Sequence, residues 1–274
     1  MQSWQIRVAP SLGGGFERTP HEAWGIKDRH NWAGNCVFFG LYGMKDFHEL
    51  MTHEGHKAIL WCGSDIRHYI NGYWLDREGK YRISPEALAS YLNSLENYVE
   101  NKVEYNALKK VGIESKIVPS FLGDVTKYKI EYQLNNVELY TSVSGDDFKL
   151  YGWDKINKLA KENPKVTFHL YGNKTKWKSP HKNVIVHGRV PQEQLIAETK
   201  KMTGALRLTK FDGFSEIVAR SLLWGQYPVS TIPYPYTIEP QDIHTLWDNK
   251  HPNREGREWL LKNVNKYPWN ANLN

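Results

Sequence analysis

The stretch from Ala205 to Ile232, ALRLTKFDGFSEIVARSLLWGQYPVSTI, constrains the fold more than any other part of the chain. A short apolar run, Ala205-Leu206-Arg207-Leu208-Thr209, ends in the polar turn Lys210-Phe211-Asp212-Gly213. Phe214, Ile217, Val218, Ser221 and Leu222 then recur at the spacing of one buried helix face. Gly225 stands where a helix C-cap belongs, and Tyr227 to Ile232 reads as the next strand. Strand, turn, helix, strand is a βαβ unit. Its turn lies at the carboxyl end of a strand and the amino end of a helix. Ligands bind there in open α/β sheets, because free helix N–H groups and the helix dipole attract anions.

The rest of the chain repeats this alternation. Trp4 to Pro10 reads as a first strand, followed at once by Gly13, Gly14 and Gly15. Glycines there let a backbone approach a ligand closely. Residues 16–35 read as a loop, Cys36 to Leu41 as a strand, Met44 to His53 as a helix and Lys57 to Trp61 as a strand. That strand runs into Cys62-Gly63-Ser64-Asp65, where Asp65 either faces an acceptor or caps the following helix. Ser84-Pro85 opens a helix, Asn101 to Val111 forms another, and Ser115 to Phe121 is a strand. Residues 122–136 are polar and suit a linker. Strands at Val137 to Val143, Val166 to Tyr171 and Val184 to His187 alternate with helices at Tyr151 to Lys161 and Pro191 to Lys201, and a last helix lies within Asn253 to Tyr267. This order predicts an α/β protein of two Rossmann-like domains, each a parallel sheet with helices on both faces. The expected divisions are 1–134, 135–250 and a carboxy-terminal helix in 251–274 that crosses back to the first domain.

At 274 residues the chain suits two small domains. The net charge of +6 is scattered without a Lys/Arg block, which argues against nucleic acid as a partner. Cys36 and Cys62 each sit in an apolar run and read as reduced core thiols. No secretory leader or membrane span is read, so the expected location is the cytoplasm, with peripheral membrane contact left open. GxGxxG, GK[ST], HExxH and CxxC patterns are missing. His21, His48, His53 and His56 lack ligand spacing, and no metal site is expected.

Asp212-Gly213-Phe214-Ser215, followed by Gly225-Gln226-Tyr227-Pro228-Val229, resembles the donor-site signature of the large retaining family of GT-B glycosyltransferases. The resemblance implies two Rossmann-like domains with a cleft between them. The first would hold the acceptor, on the Gly13–Gly15 loop and Asp65. The second would hold a nucleotide-sugar donor, with Asp212 on sugar hydroxyls and the amides of Gly213, Phe214 and Ser215 toward the phosphates. Lys210 is the nearer cation and Arg207 a second one. Lys149 would supply a cation for the diphosphate, while Gly172 and Arg189 begin strand-end turns near the nucleobase. No cofactor or metal is implied.

Two departures are plain. The family's arginine after the first strand of this domain falls within Ser144 to Gly152, where the sequence has Asp146-Asp147, a pair that reads as a solvated turn rather than a metal site. The family's second acid, which binds the ribose, falls on Arg220, and arginine cannot accept a hydrogen bond. Glu216 either replaces the lost carboxylate or complements the helix dipole. The function expected from the resemblance is sugar transfer to a hydroxyl of a glycan, lipid or small molecule with retention. The alternatives are a non-catalytic GT-B binding protein, or a sugar-nucleotide epimerase or hydrolase.

Overall fold

A computed structural model describes residues 3–12, 24–26, 32–72, 83–143, 149–172 and 177–273. The Gly13–Gly15 loop, His21, the Asp146-Asp147 turn, Asn173 and Lys174 lie outside them. The chain divides into two compact units, residues 1–123, 211–214 and 263–274 in the first, and 124–210 with 215–262 in the second.

The first unit holds a five-stranded parallel sheet in the order β1 (Trp4–Val8), β2 (Asn35–Phe39), β3 (Lys57–Leu60), β4 (Glu96–Val99) and β5 (Lys116–Ile117). Among the described residues, α1 (Met44–Thr52), α2 (Ser64–Ile70), α3 (Pro85–Asn93) and α4 (Lys102–Lys110) accompany it. Side chains alternate across the strands and both faces are buried, as a parallel sheet requires. Cys36, Phe38, Ile59, Trp61 and Val99 enter one core with Phe47, Leu50, Ile66, Leu88, Leu92 and Leu108 from the helices. Val37, Phe39, Ala58, Leu60 and Tyr98 enter the other, against Trp24, Tyr267 and Trp269. The last two rings stack at 4.6 Å.

The second unit holds β6 (Glu138–Ser142), β7 (Thr167–Tyr171), β8 (Val184–Gly188), β9 (Gly204–Arg207) and β10 (Val229–Ser230), in the spatial order β10-β9-β6-β7-β8. All are parallel. Its helices are α5 (Trp153–Glu162), α6 (Gln192–Thr199), α7 (Glu216–Leu223) and most of α8 (Arg254–Asn263). Leu139, Phe168, Leu170 and Leu206 pack with Trp153 and Ile156, while Tyr140, Tyr171 and Ala205 pack with Ile217 and Trp224 on the opposite face. The fold is therefore α/β with two Rossmann-like sheets, each flanked by helices.

Three elements depart from the sequence expectation. β4 was not expected: it is four residues long, starts with Glu96-Asn97, and follows α3 with almost no turn. Asn97 is nonetheless buried, accepting from Trp61 Nε1 at 3.1 Å and donating to the Leu92 carbonyl at 2.7 Å. The strand expected over Ser115 to Phe121 shortens to Lys116–Ile117, an exposed edge that meets Pro119, which cannot donate to a ladder. The strand expected over Tyr227 to Ile232 shortens to Val229–Ser230. Elsewhere the local signals hold. Ser84 caps α3 through the Ala87 amide with Pro85 in the first turn, and Asn101 caps α4 through the amides of Val103 and Glu104.

Candidate functional site

In the second unit the strand order reverses between β6 and β9. The chain moves outward through β7 and β8, then returns to the other side of β6. Such a switch point leaves a crevice outside the carboxyl ends of the two strands, because the connections depart to opposite sides. Backbone at this edge is close. A Cβ on Gly152 (φ +79°) would lie 2.5 Å from the Leu208 Cβ, so only glycine fits. Lys155 Nζ donates to the Leu208 carbonyl at 3.1 Å. Gly172 (φ +148°) ends β7, donates to the Gly188 carbonyl at 3.0 Å, and would place a Cβ 2.8 Å from the Val143 carbonyl oxygen. The ends of β6, β7 and β8 are thus drawn together.

Cations follow strands at the same edge of the sheet. Lys149, Arg189 and Lys210 are exposed after β6, β8 and β9. Arg207, the last residue of β9, is buried, with its guanidinium 4.1 Å from the Tyr151 ring centroid. That stacking fixes Arg207 against its own unit, whereas Lys149 and Lys210 reach solvent. At the start of α7, Ser215 is the N-cap residue, buried, with no side-chain capping bond. Glu216 stands in the first turn and meets Arg220, one turn on, at 3.7 Å. Burial raises the Tyr128 phenol, and the Arg220 charge beside it opposes the rise.

The turn between β9 and α7 leaves this unit. Phe211–Phe214 belong by their contacts to the first unit. There Asn101 Nδ2 donates to the Asp212 carbonyl at 2.7 Å and the Gly213 carbonyl at 3.3 Å, while its Oδ1 caps α4. The Phe214 amide donates to Glu100 Oε2 at 2.8 Å. The other Glu100 oxygen accepts from the Ser120 hydroxyl. A Cβ on Gly213 would fall 1.9 Å from Glu100 Oε2, and one on Gly63 (φ +86°) 3.0 Å from the Gly213 nitrogen. The signature glycine is therefore demanded by a buried carboxyl group. The sequence expectation aimed the Phe214 amide at a phosphate; in the structure it is committed to Glu100. Phe211 packs against the first unit's core, with the Arg67 guanidinium 5.9 Å from its ring centroid. Asp212 is only partly buried.

The sequence expectation gave Glu100 and Glu104 no role and Asn101 only that of a helix start; Glu100 and Asn101 directly follow the unexpected β4, and Glu104 lies in the first turn of α4. Glu104 is fully buried; its Oε2 accepts from the Glu100 amide at 2.7 Å, and its Oε1 has no partner among the described residues. Burial, and then the neighbouring Glu100, push its carboxyl well above the usual range. Asp65 is also fully buried. Its carboxylate accepts from the amides of Leu41 at 3.0 Å, Cys62 at 2.9 Å and Ile66 at 2.8 Å. Burial lifts it to about 7, against the pull of those amides. Asp65 thus ties the exits of β2 and β3 to the start of α2 and presents no surface to an acceptor. Among the described residues no group of three or more His, Cys, Asp or Glu side chains could hold a metal ion, and no helix is long and apolar enough to cross a membrane.

No protein-family profile matches the chain, and no curated protein matches it in sequence. Its fold does match solved structures. It is similar to TarM of S. aureus, seen with fondaparinux, α-GlcNAc-glycerol and UDP, at a TM-score of 0.56 and 15% identity over 87% of this chain and 54% of that one. It is similar to the lipopolysaccharide outer core galactosyltransferase WaaB at 0.56 and 11% over 96% and 95%. It is similar to a trehalose-6-phosphate synthase studied for glycosyltransfer with retention at 0.51 and 9% over 86% and 71%. The chain spans about half the length of TarM, 54%. At these identities the likeness shows the fold: two Rossmann-like α/β domains of the GT-B class, shared with a broad set of nucleotide-sugar-dependent glycosyltransferases.

Proposed function

We propose that this protein is a metal-independent glycosyltransferase that moves a sugar from a nucleotide-sugar donor to a hydroxyl group with retention of configuration. The observation that carries the reading is the switch point between β6 and β9. Lys149 and Lys210 stand at its carboxyl edge, and the chain leaves it directly into Asp212-Gly213-Phe214-Ser215. A donor diphosphate gains negative charge as the bond from its oxygen to the sugar C1 breaks, and fixed cations at the edge stabilise that charge. Lys210 and Lys149 take this role. The Asp212 carboxylate accepts from sugar hydroxyls and fixes the donor's orientation. Gly172 and Arg189 line the base side. The acceptor oxygen forms the new bond to C1 on the face the diphosphate leaves, and its proton passes to the departing phosphate oxygen. Asp65 acts here as a positioning residue that holds the loops after β2 and β3. The acceptor is a glycan, a lipid or a small molecule. Action in the cytoplasm, at times at a membrane surface, fits the donor chemistry.

One observation favours a second reading, a GT-B protein that binds without turnover: Arg220 occupies the ribose-acid position and is paired with Glu216. A thermal-shift panel of nucleoside diphosphates and nucleotide sugars separates the two readings. The first expects a shift with one base, reduced in Lys210→Ala and Asp212→Ala, and donor consumption when an acceptor is added. A shift without consumption under any acceptor supports the second, and no shift with any nucleotide removes the first.

A further inference from the structure

The second unit has a cavity of about 630 Å³ away from the switch point. Its lining includes Tyr227, which precedes β10, and Tyr236, Thr237 and Ile238, the last of which forms a parallel bridge to Val229. That places it at the amino-terminal edge of the sheet, whereas Lys210 follows the carboxyl end of β9. The volume lies within the roughly 300–1,000 Å³ of small-molecule sites.

Tyr236 is built into this cavity at a conformational cost. Its φ is +60°, the left-handed region that suits glycine and disfavours a large side chain. Asn253, itself buried, holds it there, donating to the carbonyls of Tyr236 at 3.3 Å and Gln226 at 3.2 Å. The Tyr236 side chain is not part of the core: it is 45% exposed. Its ring stands 6.3 Å from that of Trp259. Strain maintained to display an aromatic face is a mark of ligand contact.

The polar lining points to the ligand's chemistry. Asp248, Asn249, Arg254 and Glu255 are among the lining residues; Asp248, Arg254 and Glu255 are exposed, and among the described residues the four side chains make no hydrogen bond or ion pair. Two carboxylates against one guanidinium disfavour a phosphate or nucleotide. They suit a neutral polyhydroxylated ligand, whose hydroxyls donate to Asp248 and Glu255 and accept from Asn249 and Arg254. Its C–H face lies on Tyr236, as apolar faces lie on aromatic rings.

We propose that this cavity is a second, non-catalytic carbohydrate site that holds a neutral saccharide. The inference rests on the cavity's own groups and stands whether or not the switch-point edge transfers sugar. The test uses the full chain, four neutral probes (methyl α-glucoside, maltohexaose, cellohexaose and chitohexaose) and sulfated maltohexaose as the charged comparison, titrated by saturation-transfer NMR and tryptophan fluorescence. Saturable binding of at least one is expected, with a dissociation constant near about 1 mM. Tyr236→Gly removes the ring and relaxes the backbone, so it should weaken binding roughly tenfold without lowering the thermal midpoint. Asp248→Asn should weaken it in the same direction, while nucleoside diphosphate binding stays unchanged in both variants. The inference is overturned if no probe saturates up to about 20 mM, or if binding survives both substitutions undiminished. It is also overturned if a sulfated saccharide binds more tightly than the neutral ones.

Discussion

Gly213→Ala probes the packing of the signature turn. The new methyl would sit 1.9 Å from Glu100 Oε2, about half a normal carbon–oxygen contact. Glu100 cannot turn aside freely. One oxygen accepts from the Phe214 amide at 2.8 Å and the other from Ser120, and the residue is only 8% exposed. Relief therefore requires either loss of the Phe214 bond, leaving a buried amide unpaired for about 1–3 kcal/mol, or a backbone shift with an overpacking cost of about 1–3 kcal/mol. These routes are alternatives, so the expected destabilisation is about 1–3 kcal/mol by urea unfolding. The clash needs the carboxyl group, which a double-mutant cycle exposes. In a Glu100→Ala background the same alanine should cost less than about 0.5 kcal/mol, a coupling of about 1–2 kcal/mol. Equal costs in both backgrounds would refute the claim that Glu100 demands the glycine.

Asp65 has a raised carboxyl, about 7 against an ordinary 3.8, so the folded chain holds its proton more tightly. That contribution is complete below 3.8 and is lost as pH rises through about 7. Asp65→Asn, which mimics the neutral form, should therefore cost less at pH 8 than at pH 4 in urea titrations; a pH-independent cost would contradict the assignment. His169 behaves in the opposite sense. Burial and then His187, 2.9 Å away, lower it to about 4 from an ordinary 6.5, with Glu138 and Glu198 the nearby carboxylates. The folded state should lose stability as pH falls from 6.5 toward 4, more shallowly in His169→Asn. A parallel fall in both proteins would clear this pair of any part in acid unfolding.

The sequence made the second unit legible because its signals are local. The βαβ stretch carries a helical period, a glycine cap and a following strand within 28 residues, and every apolar position on the expected face, from Phe214 to Leu222, is buried. Ser84, Pro85 and Asn101 announced helix starts through side chains that reach only two or three residues along the chain. The contact that organises the turn, Phe214 to Glu100, spans 114 residues and has no local signature. Its delivering strand, β4, is four residues long, and its Asn97 reads as a loop residue until Trp61 is seen to need an acceptor. Asp65 illustrates the limit on the site: an acid in a strand-end turn serves a ligand or the backbone equally well by sequence. Only its three amide partners and full burial assign it to the backbone.

The most direct test of the central claim is proton NMR of the purified chain with a nucleotide sugar identified by thermal shift and a panel of hydroxyl acceptors. The account predicts loss of the donor's anomeric signal and growth of a glycoside signal with the same anomeric configuration, both strongly slowed in Lys210→Ala and Asp212→Ala. Donor that stays intact with every acceptor, or a product of inverted configuration, would contradict it.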